Sequence, residues 1–210
     1  MKAYFHEEDK YIDPIDYMTF NSLMGSCDFT PEEIDDPDQF NSVFHFLLDL
    51  NHKAPNFVLS YEYALGMLSQ FEPSDETETL QNDLEQRKIK ACEYIAQKDD
   101  IFNKKVVWGC LENRPIIRGL MLKADKLWEA GQLKEAHELF SKICKTNPDD
   151  NIGARYPAKA TKEGMSLAEF NERFVETDGY QAFYKGKEIV QWFEGKWGVD
   201  KLYLLLIIRE

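Results

Sequence analysis

Apolar residues begin to recur at three- and four-residue steps from Asp38 onward. Phe40, Val43, Phe44, Leu47 and Leu48 form one stripe, and that spacing puts side chains on one face of a helix. Asn51-His52-Lys53-Ala54-Pro55 ends it. A second helix is predicted from near Asn56, with Phe57, Tyr61, Ala64, Leu65 and Leu68 on its apolar side. Glu72-Pro73-Ser74-Asp75 separates it from a third, Glu76 to Gln97, striped by Leu80, Leu84, Ala91, Cys92 and Ile95. The connector 99–115 is long for a helix-to-helix link. Its Phe102, Val106, Val107 and Trp108 predict that it packs down. Helices at 116–130 and 133–146 come next, divided by Gly131, which can take the left-handed turn that stops a helix. Further on, Ser166-Leu167-Ala168-Glu169 reads as a capping box, and a helix is expected over Gly179 to Glu194. The run Leu202–Ile208 is compatible with helix or strand and is expected to be buried or to support a homo-oligomer.

Before Asp38 the pattern lapses. Asp13-Pro14, Thr30-Pro31 and Asp36-Pro37 interrupt any long helix, because the residue before proline avoids the helical region. Thr30-Pro31-Glu32-Glu33 permits a short helix start. The expected organisation is an irregular acidic segment at 1–37, a helical domain at 38–162 and a C-terminal helical extension at 163–210. Strand is expected at most at the termini or in the connector. The fold class is all-α.

Charge sharpens this division. Residues 1–84 hold eighteen acids against Lys2, Lys10 and Lys53, whereas the remainder holds 20 acids and 22 bases. The acidic half is either a solvated surface or a face for a basic partner. In both cases it repels a phosphate backbone, so no nucleic-acid partner is expected. Aromatic residues, 14 Phe, 10 Tyr and 4 Trp among 210, supply enough surface for a core. Cys27, Cys92, Cys110 and Cys144 form no C-x-x-C pair, and at this density a disulfide framework is not expected. No segment has signal-peptide character, and seven apolar residues at 202–208 fall short of the roughly 20 a membrane span needs. These features predict a cytoplasmic protein without a membrane partner.

Leu127-Trp128-Glu129-Ala130-Gly131-Gln132-Leu133-Lys134-Glu135-Ala136, then Phe140, then Asn147-Pro148-Asp149-Asp150, resembles one tetratricopeptide repeat spanning 116–148. Ala124 and Ala136 are small where antiparallel helices must approach. Trp128 and Phe140 fill the grooves, Gly131 turns the chain and Pro148 closes the unit. The flanking Glu112-Asn113-Arg114-Pro115 and Asn147-Pro148-Asp149-Asp150-Asn151-Ile152-Gly153-Ala154-Arg155-Tyr156 resemble a single-repeat branch of that family. The chain departs from the branch at Asp149 and Ile152, where Asn and Gln are usual. The resemblance implies a right-handed stack of antiparallel helix pairs and a role in binding a protein or peptide partner; it implies no reaction. The family's carboxylate clamp is not expected, since Met121, Leu122 and Asp125 occupy the candidate turns.

No catalytic site is expected. His6, His45, His52 and His137 lack metal-ligand spacing, and Glu32-Glu33-Ile34-Asp35-Asp36 does not space ligands as a calcium loop does. Phosphate-loop, dinucleotide and nucleophile-elbow motifs do not occur. No cofactor or metal is predicted. The remaining candidates are Glu112, Asn113, Arg114 and Arg118 before the helix pair and Asp150, Asn151, Arg155 and Tyr156 after it. An antiparallel pair brings these segments to one end. They form either an ion-pair latch, such as Glu112 with Arg155 or Asp150 with Arg118, or a site for an anion or peptide terminus. The alternative function is an enzyme or small-ligand binder with a polar pocket near Trp108, Arg114 and Arg155.

Overall fold

The structure, a computed structural model, describes residues 1–24, 34, 36–177 and 182–194. Among them are nine α-helices: α1 Pro14–Met24, α2 Pro37–Lys53, α3 Val58–Leu68, α4 Asp75–Lys98, α5 Arg114–Glu129, α6 Leu133–Thr146, α7 Arg155–Lys162, α8 Leu167–Phe174 and α9 Gly186–Glu194. Four three-residue strands, β1 Lys2–Tyr4, β2 Lys104–Val106, β3 Val175–Thr177 and β4 Ala182–Tyr184, and short 3₁₀ turns at Glu8–Tyr11, Ile101–Asn103 and Leu111–Asn113 accompany them. The chain is thus all-α in class. Two compact units are present: Met1–Lys123 with Lys142–Ile152, and Ala124–Ser141 with the chain from Gly153 onward.

The first unit contains the first four helices. Asp36 caps α2, its carboxylate accepting from the Asp38 amide at 3.0 Å, with Pro37 in the first turn, where a missing amide costs nothing. Val43, Phe44, Leu47 and Leu50 are buried on α2, as are Val58, Tyr61, Ala64 and Met67 on α3. The Tyr61 hydroxyl contacts the Asn51 and Pro55 carbonyls, each at 3.2 Å, joining α3 to the end of α2. Ser74 and Thr77 form a capping box that starts α4. Leu84, Ile89, Ala91, Cys92 and Ile95 then enter the core. Gly119 lets α5 pass close to α4: a β-carbon there would run into Cys92 Sγ and lie 3.2 Å from its Cβ.

The N-terminal segment departs from the irregular expectation. Asp13 accepts from the Ile15 amide at 2.9 Å, and Pro14 occupies the first position of α1. The proline read as a breaker therefore starts a helix. β1 pairs in parallel with β2 in the register Lys2↔Lys104, Ala3↔Lys105 and Tyr4↔Val106, one strand near the terminus and the other in the connector. Ile101 and Val106 are buried, so the connector packs down as its composition predicts.

In the second unit, the Gly131 backbone has φ 74°. Its amide donates to the Trp128 carbonyl at 2.9 Å and the Gln132 amide to that of Leu127 at 2.8 Å, the paired bonds of a left-handed helix stop. Ala124, Trp128, Ala136 and Phe140 are all buried, with Trp128 edge-on to Phe140 at 6.0 Å. Ser166 and Glu169 form the predicted capping box of α8. The expected helix Gly179–Glu194 is corrected in its first part. Antiparallel pairing of β3 with β4 occupies Ala182–Tyr184, and α9 begins at Gly186. The Lys185 amide closes this pairing on the Phe174 carbonyl at 2.7 Å. Cys27, the Thr30–Glu33 start and the Leu202–Ile208 run lie outside the described residues.

Candidate functional site

The 3₁₀ turn Glu8–Tyr11 comes after β1 and sets a group of titratable side chains against the connector. Tyr4 donates its hydroxyl proton to Asp99 Oδ2 at 2.7 Å, and His6 Nδ1 lies 3.0 Å from the Tyr4 hydroxyl oxygen. A phenol carries one proton; with that proton directed to Asp99, His6 Nδ1–H is the donor to Tyr4. Burial pushes His6 down to about 4, against the opposing pull of Asp99, Glu112 and Glu7, and the imidazole is neutral. Burial and Asp99 raise Tyr4 well above its ordinary range and push Tyr11 up to about 12.

Asn113 is the central fastener of this region. Its side chain accepts from the His6 amide at 2.9 Å and donates to the Tyr4 carbonyl at 3.1 Å and the Val107 carbonyl at 2.9 Å. It is fully buried. One amide side chain thus holds the N-terminal strand, the connector and the start of α5 together.

Beside it opens a cleft of about 640 Å³. Tyr17, Phe20, Asn21 and Met24 from α1 line it, with Leu59 and Tyr63 from α3 and with Leu111 and Pro115. Glu8, Glu112, Arg114 and Arg118 supply its charge. The two guanidiniums lie over the Trp108 ring, at 5.2 Å for Arg114 and 5.8 Å for Arg118. Arg114 Nε also donates to the Trp108 carbonyl at 3.1 Å, and Arg118 Nη1 to Glu62 Oε2 at 3.1 Å. Lys88 holds the other oxygen of Glu62. Glu112 accepts from Cys110 Sγ at 2.9 Å, and that bond holds its carboxyl below the ordinary range.

Glu8 differs from these. Its side chain is buried, with 9% of its surface exposed. Burial pushes it up to about 7, with Glu112 and Asp9 adding in the same direction. No hydrogen bond or ion pair satisfies it among the described residues.

The structure gathers Glu112, Asn113, Arg114 and Arg118 around this cleft and its wall. Of the candidates after the helix pair, Asp150 is buried with φ 45°, and its amide donates to the Asn147 carbonyl at 2.9 Å. Asn151 is exposed, and the neighbouring Asp149 reaches Lys105 at 3.9 Å. Arg155 and Tyr156 belong to the second unit, where the guanidinium lies 5.8 Å from the tyrosine ring. Tyr156 meets Tyr184 edge-on at 5.4 Å.

Sequence reasoning missed Glu8 and the α1 and α3 side of the cleft. Glu7-Glu8-Asp9 reads as a solvated acidic run, and nothing in its spacing marks the middle residue as buried. Tyr17, Phe20 and Met24 do recur at helical steps, a signal obscured by treating Pro14 as a break. Among the described residues no group of histidine, cysteine and acidic side chains could hold a metal ion, and no helix is long and apolar enough to cross a membrane. No protein-family model, curated protein or solved structure matches the chain.

Proposed function

We propose that this protein is an interaction module of the tetratricopeptide type, built as a right-handed stack of helix pairs, and that the cleft of the first unit receives a segment of a protein partner. The cleft carries this reading. It is open and floored by apolar and aromatic side chains from α1, α3 and the start of α5. Such a lining suits a peptide's side chains, with polar groups at the rim giving orientation. Its two arginines are held in place by Trp108 and Glu62, so they are ordered before a partner arrives. The burial of Ala124, Trp128, Ala136 and Phe140 and the left-handed turn at Gly131 support this reading. A reducing cytoplasm suits Cys92, whose thiol burial pushes up to about 12.

One feature favours a small-ligand or catalytic protein instead: burial pushes Glu8 up to about 7 inside a cleft, a displacement common among groups at active sites. A photoreactive phenylalanine analogue separates the two readings. Leu111 lines the cleft and is 49% exposed, whereas Tyr94, 45% exposed, does not line it. The probe at Leu111 should capture a defined partner through one mappable segment in native cells, and the probe at Tyr94 should not. Capture of the same proteins from both positions would overturn the module reading.

A further inference from the structure

An unpaired carboxyl rarely survives burial, because it gives up hydration without recovering a bond. Glu8 meets that cost in part: its side chain is buried without such a bond, and its carboxyl keeps contact with water only where it lines the open cleft. The cleft's other charges have partners: Glu112 has Cys110, Arg118 has Glu62, and Arg114 has the Trp108 carbonyl and ring. Influences on Glu8 come from its burial and from the acids Glu112 and Asp9, with no contribution from a cation. Neither cleft arginine therefore neutralises it. The same cleft is lined by the rings of Tyr17, Phe20 and Tyr63 and by the apolar side chains of Met24, Leu59 and Leu111. An acceptor at the edge of an apolar and aromatic slot is complementary to a long aliphatic stem with a cationic head.

We propose that the cleft takes a basic side chain, lysine or arginine, from a partner segment, with the Glu8 carboxylate as its counter-ion. The apolar lining covers the alkyl stem, and the aromatic rings favour the cation by their π-faces. This rests on the module reading above and specifies the partner's chemistry. It also gives the acidic N-terminal half a use, since eighteen acids against three lysines in residues 1–84 draw a basic segment toward the cleft. The charged groups that line the cleft with Glu8 are Glu112 from the connector and Arg114 and Arg118 from α5, with Asp9 beside it on its own turn; Tyr17 and Tyr63 line it from α1 and α3.

The test uses the full chain and blocked tripeptides of the form leucine-X-leucine, where X is lysine, arginine, norleucine or glutamate. Binding is measured by calorimetry and by the NMR shifts of cleft residues. At about pH 8, where Glu8 is ionised, the lysine and arginine peptides should bind about tenfold or more tightly than the norleucine peptide. Glu8→Gln should abolish that preference while leaving norleucine binding intact. Glu112→Gln should retain it. At about pH 6 the wild-type preference should shrink, because Glu8 then carries its proton. Equal binding of lysine and norleucine peptides, an undiminished preference in Glu8→Gln, or no binding by any peptide would overturn the proposal. Its failure is separable from that of the module. A partner captured at Leu111 through a segment without a basic residue keeps the module and ends the charge assignment. A preference for lysine with no protein captured ends the module and leaves a site for a small basic ligand.

Discussion

At the scale of single residues, burial has displaced several titratable groups, and each displacement has a consequence for stability. Glu8 is raised from an ordinary 4.5 to about 7. Between those values the unfolded chain has released its proton while the folded chain keeps it. Stability from this group is therefore complete below about 4.5 and is lost as pH rises to 7. At about 1.4 kcal/mol per tenfold change in proton affinity, the loss at neutral pH approaches ~3 kcal/mol. Glu8→Gln removes the ionisation, so it should stabilise the protein by about 1–3 kcal/mol at about pH 8 and change little at about pH 4.5. Urea titrations at the two pH values measure this directly; a destabilised variant at the higher pH would show that Glu8 has a cationic partner in the fold. Asn113 acts in the opposite sense. It makes three hydrogen bonds from a fully buried position, and Asn113→Ala leaves their partners without a bond. A loss of roughly 2–4 kcal/mol is expected. A change below about 0.5 kcal/mol would mean that water replaces the amide.

At the scale of elements, legibility in the sequence depends on how much chain each element offers to a periodic reading. The long helices α2, α4, α5 and α6 carry several turns of stripe. Their ends fall within two residues of the positions predicted from caps, prolines and Gly131. α1 escaped because Asp13-Pro14 acts in two directions: it ends the segment before it and starts the helix after it. The hairpin of β3 and β4 escaped because three-residue strands hold too little alternation to register. Gly119 lay unnoticed inside a helix, and only the closeness of Cys92 explains it. Gly119→Ala should thus cost about 1–3 kcal/mol. Adding Cys92→Ala, which removes the clashing sulfur, should recover part of that loss, so the pair should be less than additive. Thermal melts of the two single variants and the double variant decide it; simple additivity would place the strain elsewhere. Gly131 is a separate case. A β-carbon there meets nothing within 4 Å, but φ is 74°, so Gly131→Ala should cost about 1 kcal/mol from backbone conformation alone.

At the scale of the whole molecule, the cleft was not legible because it is an assembly of distant segments. Glu8 precedes Arg118 by more than a hundred positions, and no local pattern joins a 3₁₀ turn, three helices and a connector into one wall. The arginine cluster near Trp108 was legible, since Glu112-Asn113-Arg114-Pro115 concentrates polar residues where a helix begins. Burial also sets an acid–base balance for the chain. His6 is lowered from 6.5 to about 4 by burial, so the unfolded state binds the extra proton between those values. Its contribution is present above 6.5 and is lost as pH falls to 4. Glu8 in the first unit and Asp125 in the second oppose it. Burial, with Glu129 adding, pushes Asp125 up to about 7, and both carboxyls favour the folded state below their ordinary values and lose that contribution by pH 7. Two carboxyls then outweigh one imidazole, and the melting temperature should fall as pH rises from about 5 to about 7. In the double variant Glu8→Gln, Asp125→Asn these two carboxyls no longer oppose the histidine, and the slope should reverse. Calorimetric scans across that interval read the sign of both slopes. A wild-type melting temperature that rises with pH would mean that these carboxyls are ionised and paired in the native protein, whereas an unchanged slope in the double variant would assign the pH response to other groups.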